Sequence, residues 1–236
     1  MERAGYPWIT PYRHLVWKRG GLLLCGIVLS VLAWHGALAL PLSTVLERAQ
    51  QRYAETKTLQ AEFQQTSLIK SVGEEQQARG IVYIQKPGRM RWEYRSGENQ
   101  ILVTNGETLW FYFPEEHQVI QERLDRVFQS RAPALFLAGE GKLEELFTVQ
   151  AVEGADSPTL RLLPKTPHPM LQELVVRFDP QTWDVVESQT RDFLGNVTTI
   201  RFHNIRVNVP LSPALFHFQI PPGTEVITPS EAFPRR

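Results

Sequence analysis

Hydrophobic positions along this chain recur with two periods. At Leu42, Val45, Leu46, Ala49 and Tyr53 they fall three and four apart, which predicts an amphipathic helix with one apolar stripe. Thr44, with Glu47 three residues on, fits a capping box at its start. From Leu59 the period drops to two. Leu59, Ala61 and Phe63 alternate with polar residues, and side chains two apart on a strand share a face. Further strand-like runs follow at residues 80–84, 89–95, 100–103, 108–113 and 117–122. Pro87-Gly88, Ser96-Gly97, Asn105-Gly106 and Phe113-Pro114 separate them. Asn-Gly between two apolar runs is a strong hairpin signal, so an antiparallel meander is expected.

The middle of the chain breaks this rhythm. Residues 133–139 read as a short helix, with Pro133 near the start and Gly139 at the end, and residues 143–147 suggest another helical turn. Strands resume at 147–152 and 159–163, and Pro164, Pro167 and Pro169 stiffen the next loop. Hairpins are expected through Asp179-Pro180 and Leu194-Gly195-Asn196, with closing strands at 216–220 and at Val226-Ile227. Ten or eleven strands in one sheet must curl or split, and so few helices cannot cover both faces. The expected fold is mainly β: a strongly curved antiparallel sheet, or open barrel, with the short α-helices packed into its concave side. Such a sheet can enclose a ligand cavity.

The run Lys86-Pro87-Gly88-Arg89-Met90-Arg91-Trp92-Glu93-Tyr94-Arg95 is dense in cations. As a strand it sorts them. Arg89, Arg91, Glu93 and Arg95 share a face that water can solvate, and Met90, Trp92 and Tyr94 share the face that needs a partner. One glycine with no helix behind it is not a phosphate cradle.

Composition narrows the function. The chain has 236 residues, 25 Lys+Arg and 25 Asp+Glu. Arg13, Lys18 and Arg19 precede an apolar run at residues 20–34, and Ala37-Leu38-Ala39 offers small residues for cleavage. That is the form of a secretory signal peptide, residues 1–39, leaving a single domain at 40–236. Its removal takes away Arg3, Arg13, Lys18, Arg19 and Glu2 and leaves a mildly acidic domain, which argues against nucleic-acid binding. The only cysteine, Cys25, lies in the signal run, so the domain has neither disulfide nor thiol chemistry.

Catalytic patterns are lacking. No Gly-x-Ser-x-Gly or His-Glu-x-x-His is present, and His117, His168, His203 and His217 stand apart. Neither a metal nor another cofactor is expected. What stands out is large apolar content on the strands: Phe63, Tyr83, Met90, Trp92, Trp110, Tyr112, Phe178, Phe202 and Phe218. An ordinary core and a wall for a long alkyl ligand look alike at this level.

Longer stretches carry a resemblance. Residues 86–92, then 100–106 and 109–112, resemble the periplasmic outer-membrane lipoprotein carrier family, LolA. So do Phe63-Gln64-Gln65, the helix at Pro133, and Asp192-x-x-Gly195-Asn196 with Thr198 or Thr199. The resemblance implies a strongly curved antiparallel sheet forming an open, unclosed β-barrel with a lid of short α-helices, and a periplasmic chaperone without enzymatic activity. It would take a triacylated lipoprotein from an inner-membrane ABC transporter (LolCDE-like), shield the acyl chains, and deliver to an outer-membrane receptor (LolB-like), acting as a monomer. The family's gating residue, usually an arginine before the proline of the motif, falls here on Lys86. Met90 would sit at the rim as a partner contact. Tyr53, Phe63, Trp92, Leu102, Trp110 and Tyr112 would line the cavity, with Leu135, Phe136 and Leu137 as the lid's apolar face. A lipid- or lipoprotein-sensing module on the same fold is the alternative, and a lipid- or glycan-acting enzyme a third.

Overall fold

The structure is a computed structural model and describes residues 40–124, 143–167 and 171–228. The signal segment, the expected helix at Pro133 with Leu135, Phe136 and Leu137, and His168 lie outside those residues.

The first helix, α1 (Leu42–Glu55), starts two residues before the expected cap. Pro41 is its N-cap at φ −56°, with no side-chain cap bond, and its carbonyl accepts from the Val45 N–H at 3.1 Å. Thr44 is thus inside the helix, and the expected Thr44–Glu47 capping box is not the start signal; proline's locked φ already suits a helix entrance. The apolar stripe buries Val45, Leu46 and Ala49.

After α1 come β1 (Thr58–Ile69), β2 (Glu74–Gln85), β3 (Arg89–Ser96), β4 (Ile101–Asn105), β5 (Thr108–Phe113) and β6 (Gln118–Arg123). A short α2 (Leu143–Leu146) precedes β7 (Phe147–Ala151), β8 (Thr159–Pro164), β9 (Glu173–Phe178), β10 (Val185–Arg191), β11 (Val197–Val207) and β12 (Glu225–Ile227). All belong to one 12-stranded sheet in the order β12-β6-β5-β4-β3-β2-β1-β11-β10-β9-β8-β7. Two meanders are therefore stitched together by the β1–β11 pair, and the ends, β12 and β7, leave the sheet unclosed. Every pairing is antiparallel except β12 on β6.

Two expectations are revised. β2 begins at Glu74 rather than Gly80, because Glu74, Glu75, Gln76 and Gln77 are polar on both faces and show no alternation. The strand expected at 216–220 is a 3₁₀ turn, Pro213–Phe216, followed by chain outside any strand. Pro210, Pro213, Pro221 and Pro222 remove ladder donors there, and Ser212 Oγ instead accepts from the Ala214 N–H.

Register assigns the faces. Phe63 stands opposite both Gly80 and Phe202, Trp92 opposite Val82 and Leu102, and Leu102 opposite Phe111. These residues share the face that carries α1, the inner face. One cluster packs Val45, Leu46 and Ala49 of α1 on Phe147, Leu160, Leu162, Leu174, Val176 and Phe178. A second gathers Ala61, Phe63, Val82, Ile84, Met90, Trp92 and Phe202. Within it Phe63 meets Trp92 and Tyr94 edge-on, both at 5.0 Å between centroids.

Gly80 makes that aromatic contact possible. A Cβ there would lie 2.0 Å from the Glu93 carbonyl oxygen and 2.7 Å from the Phe63 ring. Gly80→Ala should cost about 2–4 kcal/mol by overpacking. Gly73→Ala, at φ +69° but in open space, should cost only about 1 kcal/mol. Urea denaturation of both variants checks the difference; equal losses would remove the packing explanation.

Candidate functional site

A helix end leaves carbonyls without intrahelical donors. At the C-terminal end of α1 the sheet supplies them. The Thr56 N–H reaches Arg52 O at 3.1 Å and Tyr53 O at 3.3 Å, and Thr56 Oγ1 donates to Arg52 O at 2.8 Å. Asn208, just past β11, donates from Nδ2 to Glu55 O at 3.1 Å and accepts the Lys57 N–H at 2.8 Å. Lys86, just past β2, donates from Nζ to Tyr53 O. The same ammonium lies 3.1 Å from the centroid of the Tyr53 ring, so one cation holds both the backbone and the side chain of Tyr53.

Side-chain charges hold the same half of the helix. The Arg52 guanidinium grips Asp184 as a fork, Nε to Oδ1 at 2.8 Å and Nη2 to Oδ2 at 3.1 Å, with only 25 % and 12 % of the two side chains exposed. The hydrogen bond to Asp184 raises the Arg52 pKa further above its usual value. Arg48, one turn back, sits 5.4 Å over the Trp183 ring. Toward the N-terminus Val45 and Leu46 pack into the apolar cluster, and Leu40 and Leu42 at the start of the helix are exposed.

Lys86 is placed by its neighbours. Its N–H donates to the Lys57 carbonyl at 2.9 Å, and the Lys86–Pro87 peptide is cis. Gly88 follows at φ +65°, where a Cβ would lie 3.1 Å from Gly106 Cα, so the Pro-Gly and Asn-Gly turns nest together. Thr104 Oγ1 ties that turn from inside by donating to the Gly88 carbonyl. Burial pushes the Lys86 pKa down to about 8. Its head meets a carbonyl and a ring face, which offset desolvation less than a carboxylate would.

Beneath this end of α1 lies a cavity of about 70 Å³. Tyr53 and Ala49 roof it, the sheet contributes Leu59, Ala61, Ile84, Phe202 and Ile205, and Arg52, Lys86 and Asp184 border it. It bridges the two apolar clusters. A space this size holds a few waters. It falls well short of the roughly 300 Å³ or more of a small-molecule site, let alone an alkyl chain.

The expected site residues separate into groups. Lys86 and Tyr53 are brought together at α1. Phe63, Trp92 and Leu102 are on the inner face. Met90, expected at the rim, is 3 % exposed and packs with Trp92 and Ile84, because it shares their face in the middle of the sheet. Trp110 and Tyr112, expected on the cavity wall, are on the outer face: Trp110 pairs with Val103 and Tyr112 with Ile101, one residue out of step with the inner Leu102–Phe111 pair. Phe218 from the C-terminal segment covers both, at 6.1 Å and 5.5 Å between centroids. Phe111 occupies the inner position instead and packs against Leu109 and Leu124. Of the outer cations, Arg89 and Arg95 are exposed as expected, and Arg91 is half-buried. Arg91 binds Glu93 at 2.5 Å and donates to the Leu215 carbonyl at 3.2 Å, so it anchors the same segment.

Arg52, Asp184, Trp183, Asn208 and Phe111 were not singled out from sequence. Phe111 could have been, since alternation alone excludes Trp110 and Phe111 from one face. Arg52 and Asp184 are 132 residues apart, and no local pattern joins them.

Residues 54–219 match the family model described as outer membrane lipoprotein carrier protein LolA. A relative from Methylococcus capsulatus named outer-membrane lipoprotein carrier protein is 32 % identical over 202 residues, 85 % of this chain and 95 % of its own. A protein of the same name from Pseudomonas aeruginosa is 32 % identical over 186 residues, 78 % of this chain and 88 % of its own. A solved LolA superfamily protein from Nitrosomonas europaea aligns over 76 % of this chain and 99 % of its own at 12 % identity and a TM-score of 0.44, too distant to argue from. With most of its length inside the family model and relatives of that name aligned nearly end to end, the chain belongs to the LolA family of outer-membrane lipoprotein carrier proteins.

Proposed function

We propose that the protein is a periplasmic chaperone that carries lipoproteins, with the acyl chains taken up against the inner face of the sheet. The observation that carries this reading is an unclosed sheet whose inner face bears an aromatic wall, with a helix packed on the same face beside it and held at its C-terminal end by polar contacts from strand ends and loops. The signal segment would be cleaved after Ala39. Cargo would arrive from a LolCDE-like inner-membrane transporter and leave to a LolB-like outer-membrane receptor, with a single copy of the chain carrying it.

The energetics favour exchange. Each acyl CH₂ removed from water is worth about 0.8 kcal/mol. Three acyl chains outweigh the apolar stripe of Val45, Leu46 and Ala49 many times over, so cargo can displace the helix. The polar contacts then set how readily the empty form opens. Arg52–Asp184 is a bidentate pair, and Lys86 supplies a point charge with three donors where the family's usual arginine would supply a fork. Handoff needs only a modest affinity difference, since a factor of ten is about 1.4 kcal/mol.

The direct test incubates purified protein with spheroplasts making radiolabelled lipoprotein. A soluble one-to-one complex that depends on the transporter and ATP supports the carrier role; a folded protein that releases none refutes it. Within that assay Phe111→Ala should reduce complex about tenfold or more, the loss of one aromatic contact, while Trp110→Ala should leave it near wild type. The reverse pattern would mean that the outer face binds cargo. Arg52→Met should loosen α1 by about 1–3 kcal/mol, seen as faster amide exchange at residues 45–56 with the strands unchanged. Unchanged exchange would remove the pair as a latch.

Lys86 adds a pH signature. Its folded-state pKa of about 8 lies below the ordinary lysine value of 10.5, so between these values the unfolded chain binds more protons. Stability relative to Lys86→Met should therefore rise as pH goes from about 8 to 10.5 and stay flat below about 7. Paired denaturation curves across that range check the sign; a falling difference would mean that the charged amine is the better-held form.

A further inference from the structure

The inner face changes character along β1. Phe63 belongs to the aromatic wall, but Gln65 and Ser67, the next two positions on that face, are neutral and polar. They lie about 7 Å and 14 Å further on, at the strand rise. Register brings Thr198 of β11 opposite Ser67 and Gln76 of β2 opposite it on the other side. The groups are wired together. Tyr94 Oη donates to Gln65 Oε1 at 3.0 Å, Gln65 Nε2 donates to Ser67 Oγ at 3.2 Å, and Ser67 Oγ and Thr198 Oγ1 share a hydrogen at 3.3 Å. Tyr94 also packs on Phe63 and joins this chain to the wall. Burial pushes its pKa up to about 12, which keeps the phenol a donor at neutral pH.

This polar end opens into a cleft of about 340 Å³ bordered by Gln65, Ser67, Gln76, Gln77, Glu98 and Gln100. Each primary amide offers two donors and an acceptor oxygen with two lone pairs, so Gln65 keeps capacity for a ligand after its two internal bonds. Among the described residues the cleft lining holds no cation, and Glu98 is its one charged residue. Arg79 and Arg95, on the neighbouring strands, belong to the outer face, where Arg79 pairs with Gln64. A phosphate would want arginines or a helix N-terminus. Ester and amide carbonyls want neutral donors set beside an apolar wall.

We infer that this cleft is a headgroup subsite that takes the neutral, ester- and amide-bearing head of a diacylglyceryl group and disfavours phosphate-bearing lipids. The inference rests on the carrier reading. It places the acyl chains on the Phe63–Trp92–Phe202 wall and the glyceryl esters against Gln65 and Ser67. Selection between an acylated protein and a bulk phospholipid of equal chain length would then reside partly in this chain.

The test uses the mature protein and short-chain ligands. They are an S-dioctanoylglyceryl, N-octanoyl cysteine peptide, dioctanoylglycerol and dioctanoylphosphatidylglycerol, each displacing the apolar dye N-phenylnaphthylamine. Wild type should bind the two neutral heads about tenfold more tightly than the phosphatidylglycerol, whose phosphate would sit beside Glu98 with no cation to meet it and so keep its own glyceryl esters from the one or two hydrogen bonds at Gln65 and Ser67. Gln65→Leu, and separately the milder Ser67→Ala, should erase most of that preference by weakening the neutral ligands while dye affinity stays unchanged. Peptide and dioctanoylglycerol moving together shows that the glyceryl esters are read; loss for the peptide alone means that the cleft binds polypeptide and overturns the headgroup assignment. A preference that survives in both variants, or is absent from wild type, overturns the subsite with the carrier reading intact. Failure of the wild type to bind dye or any acyl ligand overturns the carrier reading and the subsite with it.

Discussion

An apolar sheet face that does not close on itself must be covered by something. The inner face, with Phe63, Trp92, Phe202 and Phe178 on it, cannot be left to water, and β7 and β12 do not meet to seal it. Helix α1 is one cover. Its three buried side chains gain only a few kcal/mol against the sheet. The ladder bonds of the strands beneath it are made between strands and do not involve it.

The lid is asymmetric. Lys86, Asp184 and Asn208 all grip the last turns of α1, and all three sit at strand ends or loops, where a side chain can turn from the sheet toward the helix. Toward the other end of the helix, Val45 and Leu46 pack into the apolar cluster. Opening from the N-terminal side costs apolar contact, which an alkyl chain replaces in kind. Opening from the C-terminal side costs charged hydrogen bonds, which an alkyl chain cannot replace. The same asymmetry runs along the sheet, where the aromatic wall gives way to amides and hydroxyls at Gln65 and Ser67.

The outer face shows how a second layer arises with little helix. Trp110 and Tyr112 are large apolar groups on the outer face, and Phe218 covers them. Proline-rich chain suits that task, since it lies flat on a surface without asking the sheet for ladder bonds. Arg91 then serves as an anchor, its charge shared between Glu93 and the Leu215 carbonyl.

Much of this was legible from the chain alone. Period-two alternation located most strands, Asn105-Gly106 and Asp179-Pro180 marked real hairpins, and the motif around Lys86 led to the family. These signals are local, set by φ/ψ preference and by which side chains share a face within one element. The polar start of β2 carried no alternation and was missed, and prolines before Phe216 outweighed an apolar run. What tertiary structure decided was pairing across long separations. Only the register of β4 on β5 sends Trp110 outward and Phe111 inward. Only the stitching of β1 to β11 brings Asp184 to Arg52, Asn208 to Glu55, and Thr198 to Ser67. Residue type could say that these groups can bond, but the partner of a side chain more than a hundred residues away is chosen by the sheet's topology, which no single segment encodes.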